Sequence, residues 1–593
     1  MICRVIPAAL AAGLLSVSSL GAAPADAAPS ARPRAAAKAP ARTSTVEQTR
    51  FERLLERATR EKFASQPSFA TYMGVHDFDT RLENTSRAAV DARVAQLRGE
   101  LRELAGIDPK KLRPETRIDY DLFRNDLDAN LYRMATLREW EKDPGAYGYG
   151  WGVENLIARD FAPQPTRLRA VIARLRQAPR QLRNGRANVK NPAPLIASFA
   201  ADDLEGLIGY LDKDVPAAFP AVRDPALWRE YGAAKKEAQQ ATRDYVKWIR
   251  DDLLPRAHGT YVLGEEAYRK RLHYEEMIDT PIDSLLAIGG RELHRLEARY
   301  EDAAARVQPG ASLEAVEAMM RQDHPSKDQL LDYVRSLLGE IRDYCVSSHF
   351  IDIPGNVPLV VRATPEFEAS RSFASFDGPG PLEMKARDSY YNVTLPGAGW
   401  DSARVEQHLQ GYSRWSLPSV SIHECYPGHF VHSLYARNAP TYARKTMGCG
   451  SFAEGWGLYV EEALFDHGYA KGDAKKEFGM LRWALVRSCR LQVGIRVHTR
   501  GMTMDQATQY FVDHAHMERA NAEREAYRAA FDPTYVVYTI GAMQIRKLRD
   551  DVRAKEEASF DLARFHERIL SEGALPVALL RRILLDDSGP TLE

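Results

Sequence analysis

Twelve consecutive residues hold three histidines and a glutamate: Ser421-Ile422-His423-Glu424-Cys425-Tyr426-Pro427-Gly428-His429-Phe430-Val431-His432. Neutral imidazoles are good donors to a divalent ion such as zinc, and a neighbouring carboxylate can take the proton of water as that water attacks a polarised carbonyl. His423-Glu424 opens the HExxH pattern, in which two helical histidines share one ion and the glutamate between them is the base. Here the fourth residue after His423 is Pro427, so the strict pattern is absent.

Helix geometry says what that departure requires. At about 100° per residue a donor four positions on lies about 40° away, whereas His429, six positions on, lies about 120° off the face of His423. A regular helix therefore cannot aim both imidazoles at one ion. Pro427 removes an intrahelical hydrogen bond and Gly428 admits unusual backbone angles, so the pair can supply a local bulge that returns His429 to the metal. His432, one turn beyond His429, is the reserve ligand or an orienting group.

A third donor is expected from a separate helix. The segment from Ser451 to Glu462 offers Glu454, 25 residues after His429. Gly455 and Gly457 remove side-chain bulk where this helix would approach the first one. Glu461 lies two turns from Glu454 on roughly the same face and is expected to support the site, while Glu462 is expected to be solvated. Isoleucine, valine and leucine at 422, 431 and 434 point to a buried site over a surface histidine tract.

The surrounding chain has the composition of an ordinary globular protein: 593 residues, 45% hydrophobic, enough for a large core. Lys plus Arg (81) equals Asp plus Glu (81), which removes the bulk attraction expected of a nucleic-acid binder. Arg4, the apolar stretch from Ile6 to Leu20, and Ala25-Asp26-Ala27 read as a signal peptide over residues 1–27. Export to the periplasm or medium follows, with no stable membrane insertion once the signal is removed. Residues 28–45, rich in alanine and proline, are expected to form a flexible linker. Cys345, Cys425, Cys449 and Cys489 contain no CxxC pair, and four cysteines allow three complete pairings.

From Val46 apolar residues recur at three- and four-residue spacing, as in Phe51, Leu54, Leu55 and Ala58. The pattern predicts helices over 88–104, 117–137, 165–189, 199–211, 231–254, 282–307 and 327–349. Between 350 and 400 the texture changes to Pro, Gly and short β-branched or aromatic runs, so strands are expected at 358–362 and 389–394. The reading is a mainly α fold with a small sheet: a helical region over 46–349 and a metal-binding catalytic region over 350–593, integrated in one globular unit.

The strings HECYPGHF (423–430), FAEGWGLYVEE (452–462), RVHTRGMTMDQA (496–507) and YTIGAMQIRKLR (538–549) resemble the bacterial family termed domain of unknown function 885. The resemblance runs from about Glu47 to Leu580. That family looks like a relative of the helical gluzincins, including thimet-type oligopeptidases, angiotensin-converting enzyme and thermostable carboxypeptidases. It implies a deep cleft between helical walls, one zinc ion, and hydrolysis of peptides. Beside the thimet-type HExxHxxH, this chain reads as His423-Glu424, two extra residues, then His429 and His432. The relatives lack the Pro-Gly insertion, and Leu458 stands one turn after Glu454 where some zinc peptidases carry an acidic residue.

The resemblance further implies that a histidine and tyrosines from later helices steady the oxyanion, for which His498 and Tyr538 are the candidates. Tyr535, three before Tyr538, is expected on the same helical face, with Arg524 as a further substrate contact. An edge strand at 386–395 would pair with an extended peptide, presenting Tyr390 and Asn392. The expected function is a zinc peptidase in which His423, His429 and Glu454 hold the ion and Glu424 is the base. Alternatives are a metal-dependent amidase acting on a metabolite or cell-wall fragment, and a non-catalytic peptide-binding protein. Arg487, Arg490, Arg496 and Arg524 could each capture a substrate carboxylate, and the sequence does not choose among them.

Overall fold

The computed structural model describes residues 46–364, 372–397 and 399–592. The expected signal peptide and linker, 1–45, lie outside the described residues. The chain is mainly helical, and its helices begin where the sequence supplies caps or a proline. Ser86 accepts from Ala89 N and Asp224 from Ala226 N, while Pro114 and Pro194 open helices whose first N–H would have no partner in any case. The helix Ile282–Val307 has the predicted bounds. Three predicted helices are interrupted, one of them 231–254, which runs as Pro225–Trp248, a π-type turn at Ile249–Leu253, and Leu254–Arg256. The 165–189 segment breaks into Gln164–Leu175 and Ala178–Asn188, because Pro179 cannot continue the hydrogen-bond ladder and instead starts a new helix. The 117–137 segment is helical over Pro114–Leu131, then widens into a π-type turn at Tyr132–Leu137 that ends on Arg138 with φ 49°.

Three strands follow: β1 (Leu359–Ala363), β2 (Ala374–Asp377) and β3 (Ser389–Val393). β2 was not anticipated. The order is β1-β3-β2, with β3 parallel to β1 and antiparallel to β2. This corrects the expectation for 386–395: β3 is the central strand and both its edges are already paired, so it cannot add a substrate strand. Asn392 is buried, accepting from Arg362 Nε at 2.8 Å and donating to Ser375 Oγ at 3.3 Å. The Tyr390 ring is covered by the Arg362 guanidinium, 3.4 Å from its centroid. Both residues hold the sheet together.

The largest apolar cluster takes residues from both regions: Phe51, Leu54 and Leu330 share it with Ile422, Trp456, Ile545 and Leu580. Within it, the helices Gly450–Asp466 and Val537–Glu556 touch backbone to backbone. A Cβ on Gly455 would stand 2.5 Å from Gly541 Cα, and one on Gly541 would strike Ser451 O at 1.7 Å. Only glycine at both positions permits this approach. All four cysteines in the described residues are buried and free.

Candidate metal centre

The first histidine stands on the short helix Leu417–Glu424, every residue of which is buried. The expected bulge is in fact a complete break. Cys425 leaves the helix at φ −121°, ψ −86°, the Tyr426–Pro427 peptide is cis, and a second helix, His429–Ala436, begins directly after Gly428. The turn is tight: Gly428 N donates to Ile422 O at 3.0 Å, and a Cβ on Gly428 would lie 1.8 Å from His423 O. Trp456 Nε1 donates to Pro427 O at 3.0 Å, tying the turn to the helix that carries Glu454.

The break brings the two imidazoles together, with ring centroids 4.7 Å apart and planes at 87°. His423 Nε2 and His429 Nε2 lie 3.4 and 3.5 Å from the same oxygen of Glu454, Oε2. Donor atoms of all three residues fall within 4.8 Å of one another. Ligands about 2.0–2.1 Å from one tetrahedral ion stand about 3.3 Å apart, so the spacing fits a zinc ion. His429 Nε2 is buried without a hydrogen-bond partner, the state expected of an atom whose partner is a metal. The group is enclosed: His423, His429 and Glu454 are 3, 6 and 5% exposed.

His423 is aimed by the Gly450–Asp466 helix. Its Nδ1 lies 2.7 Å from Glu461 Oε1, which fixes Nε2 as the atom left for the metal. The other oxygen of Glu461 accepts from Ser419 Oγ, and Arg487 Nη2 approaches Oε1 at 3.2 Å. Burial lowers the affinity of His423 for a proton, but the carboxylates of Glu454 and Glu461 outweigh it and raise its pKa above the usual 6.5. Burial works against ionisation of Glu454 too, yet the two histidines hold its carboxyl well below the usual range. His432 does not join the group. It is buried edge-on to Phe452, and desolvation, with help from His429, pushes its pKa down to about 3.

Glu424 follows His423 and is buried, with Oε2 accepting from the backbone N–H of Phe376 on β2 at 2.9 Å. Burial raises its pKa to about 7 against the opposing pull of His429 and that hydrogen bond. The strand bonded to Glu424 is thus β2, while β3 meets the same helix through Tyr391, whose hydroxyl lies 3.3 Å from Ser421 Oγ.

Of the residues expected from later helices, Tyr538 reaches the group. Its ring stacks over His423 at 6.2 Å and 24°, and Arg528 Nη2 donates to its hydroxyl at 3.4 Å. Burial raises its pKa to about 12. His498 is elsewhere. It is fully buried, its Nε2 2.8 Å from Ala529 O and its ring stacked on Tyr268. On the helix Ala474–Thr499 it stands eleven positions beyond Arg487, about 16 Å along the axis, so it packs the core instead of the site. Tyr535 precedes the helix, which starts at Val537; it is buried against Gly494, and its ring and that of Tyr538 each lie 5.7 Å from the Arg528 guanidinium. Arg524 is exposed, and its neighbour Glu525 pairs with Arg490 at 2.8 Å.

Residues not anticipated include Phe376, Ser419 and Arg528, whose contacts are long-range or use the backbone. Glu276 is another. Cys449 gives no side-chain cap to the Gly450–Asp466 helix; Glu276 Oε2 accepts from Ser451 N at 2.7 Å instead.

The fold and site define a mainly helical protein with a buried His-His-Glu group braced by a second glutamate. The chain belongs to the family described as "Bacterial protein of unknown function (DUF885)", whose model matches residues 67–584. Solved structures that share the fold include the following two. One, a "putative lipoprotein of unknown function" from Shewanella oneidensis, is 24% identical, with 90% of this chain and 99% of that chain covered and a TM-score of 0.75. The other, a "putative lipoprotein" from Colwellia psychrerythraea, is 16% identical, covering 91% and 99%, with a TM-score of 0.77. None of the curated proteins matches the chain. Among the described residues no helix is long and apolar enough to cross a membrane.

Proposed function

We propose that the protein is an exported zinc metallopeptidase of helical gluzincin type. The observation that carries this reading is the convergence of His423, His429 and Glu454 with Glu424 beside them. A zinc ion held by these three would act as a Lewis acid toward a scissile carbonyl and toward water. Glu424 supplies the base. A carboxyl whose pKa is about 7 accepts a proton readily near neutral pH and can give it back. The oxygen of water bonds to the carbonyl carbon as Glu424 removes its proton; the C–N bond then breaks and Glu424 returns that proton to the departing nitrogen. In this reading Tyr538, whose hydroxyl accepts from Arg528, would donate to the oxyanion.

A purely non-catalytic receptor has no need of a buried carboxylate next to the ligands, since burying one is costly. Export is supported by the signal-like N-terminus and by the lipoprotein descriptions of the two structural neighbours. The test is a mixed peptide library incubated with zinc-loaded protein and read by mass spectrometry, with and without chelator. Chelator-sensitive cleavage is expected. An untouched library together with turnover of non-peptide amides would favour the amidase alternative, and binding without cleavage would favour a receptor.

A further inference from the structure

Arg487 is buried beside the metal group with part of its hydrogen-bonding capacity unused. It is 7% exposed, and Nη2 lies 3.2 Å from Glu461 Oε1, the oxygen that also orients His423. Its Nε and Nη1 are buried with no hydrogen-bond partner. The neighbouring guanidinium groups are differently placed. Arg490 spends Nε and Nη2 on Glu525, both at 2.8 Å, and Arg528 spends Nε and Nη2 on Asp532 at 3.2 and 3.1 Å. A buried donor left unmade costs about 1–3 kcal/mol, so two on one charged group are expected to meet a ligand. Nε and Nη1 lie on different edges of the guanidinium, each beside Nη2, so a carboxylate would take a charge-assisted hydrogen bond from one of them.

We propose that Arg487 receives the free C-terminal carboxylate of a short peptide, so that cleavage occurs near the substrate's C-terminus. Glu461, 1% exposed, engages Nη2, which leaves Nε and Nη1 as the donors for an incoming carboxylate, and the acid and amide peptides below test whether that carboxylate is the chain end. This deepens the peptidase reading and rests on it. It also selects one arginine from the four that the sequence offered.

The test compares peptides of identical sequence ending in a free carboxylate or a C-terminal amide, using zinc-loaded wild type, Arg487→Lys and Arg487→Gln. Wild type is expected to favour the free acid by roughly 10- to 100-fold in kcat/KM, mainly through KM. Arg487→Lys should keep part of that preference, and Arg487→Gln should abolish it, so that acid and amide are cleaved with equal kcat/KM. Equal treatment of acid and amide by wild type overturns the proposal, as does a parallel loss on both substrates in Arg487→Gln, which would mark a structural or oxyanion role. If wild type cleaves neither peptide, the peptidase reading has failed instead. Calorimetric binding of the same pairs to zinc-loaded wild type then decides the role of Arg487, with equal affinities overturning it.

Discussion

Gly457 lies flat against the imidazole of His423: a Cβ there would stand 2.6 Å from Cε1 and 2.7 Å from Nδ1. Glu454, Gly457 and Glu461 follow one another at i, i+3 and i+7, so a single helical face presents a carboxylate, a gap and a second carboxylate. The imidazole occupies the gap and touches both acids.

Gly457→Ala is therefore expected to push His423 off the metal without removing any ligand. Zinc affinity should drop by roughly 10- to 100-fold, with helicity unchanged by circular dichroism. A competition titration giving wild-type affinity would show that the imidazole has room to spare.

Glu461→Gln keeps the shape of the side chain and removes its charge. It weakens the hold on the His423 tautomer and leaves Arg487 facing a neutral amide. Zinc binding is expected to fall by about 10- to 100-fold, and its survival at full strength would remove Glu461 from the design of the site.

Glu424→Gln separates base from ligand. The variant should bind one zinc as wild type does and lose nearly all hydrolysis, whereas Glu454→Ala or His423→Ala should lose the metal itself. Zinc content by atomic emission, paired with the cleavage assay, distinguishes them. Full activity in Glu424→Gln would end its assignment as base.

Glu276 gives a pH prediction that does not depend on the metal ligands. Burial raises its pKa to about 7 although Ser451 N donates to it, against an ordinary 4.5. Between those values the folded chain holds a proton that the unfolded chain has released, so this group's contribution to stability falls as pH rises through that window. The slope for one proton approaches about 1.4 kcal/mol per pH unit. Glu276→Gln retains an acceptor for Ser451 N and has no proton to lose. Urea unfolding at pH 5 and pH 7.5 should show a smaller difference for the variant, and identical differences would sink the assignment.

The legible part of the site was local. His423, Glu424 and His429 lie within seven residues, and the need to re-aim His429 was apparent from the angular mismatch, although Pro427 and Gly428 end the helix where a bulge was expected. Glu454 and Glu461 could be paired by helical period alone. Gly457 clears the first helix as anticipated, but Gly455 serves the helix of Tyr538 instead. The expected helix start before Tyr535 was too early, because onset at Val537 depends on packing that local propensity does not encode. The partners of Glu424, Glu461 and Ser451 come from residues 376, 487 and 276, and no periodicity connects such distant positions. The central position of β3 was likewise hidden, since strand order depends on β2, a four-residue run with weak alternation.

The contact between Gly455 and Gly541 bears on how a substrate could enter. Two helices with no side chains between them have no cushion to compress, so the walls bearing Glu454 and Tyr538 must shift as one piece or not at all. The contact on the side of Glu424 is slighter: a four-residue strand joined to it through the Phe376 amide. A displacement of β2 would therefore release the Glu424 carboxylate from the Phe376 amide while the side chain stays on the helix of His423, freeing an acceptor without moving a ligand.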